Sequence, residues 1–142
     1  MKHLFYFLLA STLVFTSCNK DDDGDTNDTS SNEASIIGTW KLASITDNGV
    51  PEVLDSCDLE DFYTYSSNGS GVNNYNYGDN CEISDTDNFT YTINGNMLTL
   101  NFGDGDSETA EITTLNESTL AYSYSFTEEG TTYLSVETYT KQ

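Results

Sequence analysis

The chain has 142 residues, with 24 acids, four lysines, no arginine and one histidine, for a formal charge of −20 at neutral pH. Nucleic acid is excluded as a partner, because no basic patch is available to displace counterions from phosphates. An anionic membrane surface repels such a chain too, and the surplus acid reads as solubility at a crowded surface.

Leu4 to Phe15 is an apolar run led by Met1-Lys2-His3. This is the charged start and short greasy middle of a secretory signal, too short to span a bilayer as a stable helix. Thr16-Ser17 lead into Cys18, and the segment resembles a bacterial lipobox, with Phe15 where that motif carries Leu or Val. The resemblance implies cleavage after residue 17 and a lipid on Cys18. Asn19-Lys20-Asp21-Asp22-Asp23 follows; a lysine followed by acids beside a lipidated cysteine resembles the export signal of Bacteroidota surface lipoproteins. That implies a lipid anchor in the outer membrane and display on the cell surface. Cleavage of residues 1–17 removes His3, the one histidine, and leaves Lys20, Lys41 and Lys141 as the cations.

Residues 18–35 hold Asp, Asn, Ser, Thr and Gly with almost nothing apolar. Such a segment buries too little surface to offset its ordering entropy, so a flexible acidic tether is expected. Residues 36–142 suffice for one small core and one domain.

The domain shows no helical period; β-branched and aromatic residues alternate with polar ones between turn signals. Ile36 to Thr46 is the first expected strand, with Gly38, Trp40 and Leu42 on one face, ended by Asp47-Asn48-Gly49 and Pro51. Tyr63 and Tyr65 share a face of the second, from Asp61 to Ser66, and Asn68-Gly69 turns it into a Gly- and Asn-rich third around Val72 to Tyr77. Phe89, Tyr91 and Ile93 alternate in the fourth, and Asn94-Gly95 is a hairpin signal that favours positive φ. Leu98, Leu100 and Phe102 mark the fifth, closed by Gly103-Asp104-Gly105; Ala110 and Ile112 mark the sixth. Leu120, Tyr122, Tyr124 and Phe126 lie on a seventh, and Glu128-Glu129-Gly130 turns into the eighth, Thr132 to Thr140.

Eight short strands joined by tight turns describe an all-β antiparallel meander. Closing it into an up-and-down eight-stranded barrel removes both exposed edges; a β-sandwich of two sheets has the same periodicity. Cys57 and Cys81 remain once Cys18 is acylated. A route through an oxidising compartment makes a disulfide the default, contributing about 3.5 kcal/mol for a loop of about 25 residues. The alternative, a catalytic thiol, lacks a histidine to activate it.

The domain's ends carry a resemblance. Gly38-Thr39-Trp40 opens the first strand and Lys141 follows the last, similar to the lipocalin pattern, in which a Trp plugs one end of the barrel under a cation. Trp40 would be the plug and Lys141 the barrel-closing cation, where lipocalins usually place Arg. Cys57, Tyr63 and Tyr65, Asn68-Gly69, Cys81 and Gly95-Asn96-Met97-Leu98-Thr99-Leu100 follow in the order found in short lipocalin-like domains of surface lipoproteins. The resemblance covers residues 36–142. Streptavidin-like barrels open similarly but line their site with several tryptophans, and Trp40 is the single one here.

The missing histidine removes Ser-His-Asp and Cys-His catalysis and the commonest ligand of zinc, copper and haem. No cofactor or metal is expected. Calcium is the one metal whose oxygen ligands abound, in the acidic turns 103–108 and 85–87, but the spacing of a calcium loop is absent. Paired-acid hydrolysis would need a cleft holding two facing carboxyl groups, one in a raised-pKa pocket, which turn aspartates do not offer. The tyrosines are the candidate recognition set. Tyr63, Tyr65, Tyr91, Tyr122 and Tyr124 are expected on or near the inner face, each with apolar area and a hydroxyl that seeks a partner. Tyr75, Tyr77, Tyr133 and Tyr139 are expected outside. Two functions follow: a non-catalytic binding module for a small amphipathic ligand, or an accessory subunit of a surface complex, with a filled barrel and a protein partner.

Overall fold

The structure, a computed structural model, describes residues 29–142. The signal at residues 1–17, Cys18 and the first part of the tether lie outside the described residues.

Nine antiparallel strands follow a short helix, α1 (Thr29–Ile36): β1 (Gly38–Asp47), β2 (Val50–Pro51), β3 (Phe62–Tyr65), β4 (Ser70–Tyr77), β5 (Ile83–Asn94), β6 (Met97–Gly103), β7 (Asp106–Leu115), β8 (Thr119–Glu128) and β9 (Thr131–Lys141). Each long strand pairs with the next in sequence, and β1 also pairs with β9, from Trp40↔Lys141 to Asp47↔Ser135. That last ladder decides between barrel and sandwich: eight strands close into an up-and-down barrel. β2 only extends the hairpin that leaves β1.

The eight sequence-read strands are all present, with three corrections. Residues 29–36 form α1, where a tether and then the start of the first strand were expected. The reason lies in Ile36, which is completely buried in the core, and whose carbonyl accepts a 2.6 Å hydrogen bond from Trp40 Nε1. A chain that must return its carbonyl to a ring four residues on cannot be extended there. Second, Asp85-Thr86-Asp87 is not a turn but part of β5, which begins six residues before Phe89. Asp85 and Asp87 accept hydrogen bonds from the hydroxyls of Tyr77 and Tyr75 across the β4–β5 hairpin, at 2.8 and 2.9 Å. Third, Tyr139 lies in the core rather than outside, 3 % exposed.

The barrel interior is divided along its length. Toward α1 it is filled by Trp40, Leu42, Tyr65, Phe89, Tyr91, Ile93, Leu98 and Leu120. Tyr65 meets Tyr91 and Phe89 edge-on at 5.1 and 5.4 Å between ring centroids, the arrangement that ring quadrupoles favour. Tyr91 sends its hydroxyl to the Ser66 carbonyl at 2.8 Å. Cys57 and Cys81 are joined by a disulfide, with Cα atoms 5.1 Å apart, which ties the short 3₁₀ turn Asp58–Glu60 to the β4–β5 turn.

Gly38 and Lys141 explain each other. Gly38 has φ +139°, and a Cβ built on it would stand 2.7 Å from Lys141 Cε. The lysine stem occupies the space that a side chain at 38 would need, on its way to a position 4.8 Å from the centre of the Trp40 ring. A glycine, a buried tryptophan and a terminal cation thus form one packed unit.

Candidate functional site

Away from α1 the interior is not filled. A cavity of about 410 Å³ is lined by Tyr63, Leu98, Leu100, Ala110, Tyr122 and Tyr124, by Glu108 and Glu137, and by Thr109 and Ser125. Strand parity puts these side chains there. On β6, Leu98 and Leu100 face inward, opposite Ala110 and Glu108 of β7 in the ladder. Tyr122 of β8 stands opposite Glu137 of β9.

Thr109 and Ser125 belong to the outward parity of their strands, so their place in the lining needs another cause. The β7–β8 ladder supplies it: pairing runs from Leu115↔Leu120 only as far as Glu111↔Ser123. Residues 106–110 of β7 and 124–128 of β8 therefore diverge, and the cavity reaches the surface through the side of the barrel as well as toward its rim. A neighbouring depression of about 390 Å³ shares Tyr63 and Glu108 and adds Asp87 and Asp106, which makes the rim acidic.

Glu137 organises the polar half of the cavity. Tyr124 donates to its Oε1 at 2.7 Å and Tyr122 to its Oε2 at 2.9 Å, and the Tyr139 hydroxyl also reaches Oε2. The Tyr122 and Tyr139 oxygens are 2.8 Å apart. Burial, followed by the Glu137 charge or the neighbouring tyrosine, drives both phenols well above their ordinary pKa and keeps them neutral donors. Tyr63 is pushed the same way, by burial first and then by Glu137. Burial also raises the Glu108 carboxyl, with Glu137 as the second cause. Two carboxylates thus face one cavity. Glu137 already accepts three hydrogen bonds, and its geometry is that of an anchor.

Of the five tyrosines read from the sequence, Tyr63, Tyr122 and Tyr124 line the cavity together. Tyr65 and Tyr91 sit in the filled half, 1 % and 7 % exposed. Glu108, Glu137 and Tyr139 escaped the sequence reading, although a signal was there. Glu137 and Tyr139 share the parity of Lys141, already placed over the inward Trp40, and Glu108 shares that of Ala110 and Ile112. Leu134, exposed, and its neighbour Val136 occupy the opposite parity of β9. Among the described residues, no group of three or more His, Cys, Asp or Glu is placed to hold a metal ion.

Comparison with known proteins adds to this geometry. The sequence pattern of the lipocalin-like domain family matches residues 36–122. Among solved structures, the chain is similar to a lipocalin-like protein from Bacteroides uniformis (19 % identity, TM-score 0.59, covering 76 % of this chain and 99 % of that one). It is also similar to an uncharacterized protein from Bacteroides eggerthii (15 % identity, TM-score 0.52, covering 75 % and 98 %). These likenesses concern the fold. No curated protein matches the chain in sequence. With the barrel closed by β1 and β9, Trp40 buried under Lys141, and the family pattern extending over more than half its length, the chain belongs to the lipocalin-like domain family.

Proposed function

We propose that this protein is a non-catalytic, lipid-anchored binding protein of the bacterial cell surface, and that its barrel takes up a small amphipathic ligand. The cavity carries the reading. At about 410 Å³ it falls in the size range of small-molecule sites, and Leu98, Leu100 and Ala110 give it an apolar wall opposite the hydroxyls of Tyr63, Tyr122 and Tyr124. The anchor is supported by the apolar run before Cys18 and the Lys-Asp sequence after it. Native mass spectrometry of the protein purified from its host tests the ligand: a reproducible extra mass, lost on denaturation, is expected. A bare mass from every preparation would favour a filled, partner-binding barrel. Fatty-acid labelling tests the anchor; it is expected in the parent and lost in Cys18→Ala, and label retained in that variant would remove the lipobox reading.

One observation favours the rival reading of an accessory subunit. Phe126 stacks on Tyr133 at 5.2 Å on the β8–β9 hairpin, and Leu134 and Val50 are exposed at 48 % and 67 %. The turn after β1 reaches this edge through Asn48, which exchanges hydrogen bonds with the Leu134 backbone. Leu134→Ser is expected to leave ligand uptake intact, and loss of a co-purifying protein with that change would support the accessory role.

A further inference from the structure

We infer that the cavity selects a cation: an organic molecule with a protonated amine on an apolar or aromatic body. This rests on reading the cavity as a ligand site and goes further by assigning the sign of the ligand's charge.

Glu137 and Glu108 face the cavity from β9 and β7, on either side of β8. Charges withdrawn from bulk water are normally paired with an opposite charge. Glu137, half-buried, has no such partner in the barrel, and Glu108, exposed at the cavity mouth, adds a second unpaired negative charge beside it. Among the described residues the only cations are Lys41 and Lys141. Lys41 is on the outside, paired with Glu60 at 3.1 Å. Lys141 is over Trp40 at the far end of the barrel. The counter-charge is absent from the protein's own side chains, and a bound ammonium supplies it.

The remaining lining suits the same ligand. A carboxylate offers about four acceptor directions, and Glu137 uses one on Oε1 and two on Oε2 for tyrosines, which leaves room for one more donor on Oε1. Tyr65, 1 % exposed, has a hydroxyl with no hydrogen-bond partner among the described residues, and both Glu137 and Glu108 act on it electrostatically. The rings of Tyr63, Tyr122 and Tyr124 present negative π faces to a cation. Leu98, Leu100 and Ala110 accept the apolar body. Asp87 and Asp106 at the rim, with the −20 charge of the whole chain, draw cations toward the mouth and repel anions. An amphipath ending in a carboxylate would meet two like charges, with no cation in the lining to offset them.

The test uses three probes with one phenyl body and three charges: 2-phenylethylamine, 2-phenylethanol and 3-phenylpropionate. Each is titrated calorimetrically into the purified protein at low salt. The amine is expected to bind at least about tenfold more tightly than the alcohol, with no measurable binding of the acid. Glu108→Gln, at the cavity mouth, is expected to weaken the amine about threefold to tenfold more than it changes the alcohol. Glu137→Gln keeps the size of the side chain and one acceptor oxygen, and is expected to show a larger loss. Should that variant fail to fold, Glu108→Gln still decides the matter. Equal affinity for amine and alcohol, or preference for the acid, would overturn the charge assignment while leaving a working pocket. Binding of none of the three would overturn the pocket reading and this inference with it.

Discussion

Gly38 shows how much one missing Cβ can decide. Its φ of +139° lies where side chains are strained, and Lys141 already fills the adjoining space. Gly38→Ala is expected to cost about 1–3 kcal/mol, read from urea unfolding with the emission of Trp40, the chain's single tryptophan. Lys141→Ala alone removes a cation–π contact of about 0.5–2 kcal/mol. Because the alanine at 38 displaces the lysine, the double variant should fall short of the sum of the singles; strict additivity would show that the two residues do not share one contact. The pairing of Trp40 with Lys141 was legible through the resemblance of the domain's two ends to the lipocalin pattern. The reason for the glycine was not, since it depends on a stem arriving from residue 141.

At the scale of elements, strand count and order followed from alternation, because period two is local and survives without tertiary context. Strand phase followed less completely. β1 carries a register shift between Leu42 and Ser44, after which Ile45 rather than Ser44 packs on the core. β7 carries another between Ile112 and Thr114. A bulge moves every later side chain to the other face, and no composition signal marks it. The short β7–β8 ladder makes a prediction for this level. Amides of residues 106–110 that point toward β8 should exchange with solvent far faster than those of Glu111 to Leu115, and equal protection would close the side opening. The Cys57–Cys81 bond spans 24 residues and holds the longest loop against the β4–β5 hairpin. Its loss in Cys57→Ser/Cys81→Ser should cost about 3.5 kcal/mol, visible as a lower urea midpoint, and an unchanged midpoint would show that the loop is held by other contacts.

For the molecule as a whole, the buried phenols dictate the response to alkali. Tyr65, Tyr122 and Tyr139 are neutral in the fold, with pKa values raised by burial first. In the unfolded chain they ionise near the ordinary value of about 10. Above that pH the unfolded state binds fewer protons than the native one, so stability falls as pH rises. The contribution is complete below the unfolded pKa and is lost on the way up through the folded one. Alkaline titration is expected to show tyrosinate absorbance from exposed residues first, and from these three only with the collapse of the Trp40 signal. Smooth ionisation of all tyrosines in a folded protein would contradict the buried Tyr–Glu137 cluster.

The amino-acid sequence by itself determined that this is an acidic, all-β, disulfide-compatible domain of eight strands, because composition, alternation and turn residues act locally; the plugged end was implied by the resemblance of Trp40 and Lys141 to the lipocalin pattern. Only the tertiary structure decided that the barrel closes, that α1 replaces the last stretch of the tether, and that the interior is filled in one half and hollow in the other. It alone brought Glu108 and Glu137 to face one cavity. Those outcomes depend on ladder lengths and bulges, which set where distant strands stop pairing and which side chains remain opposite empty space.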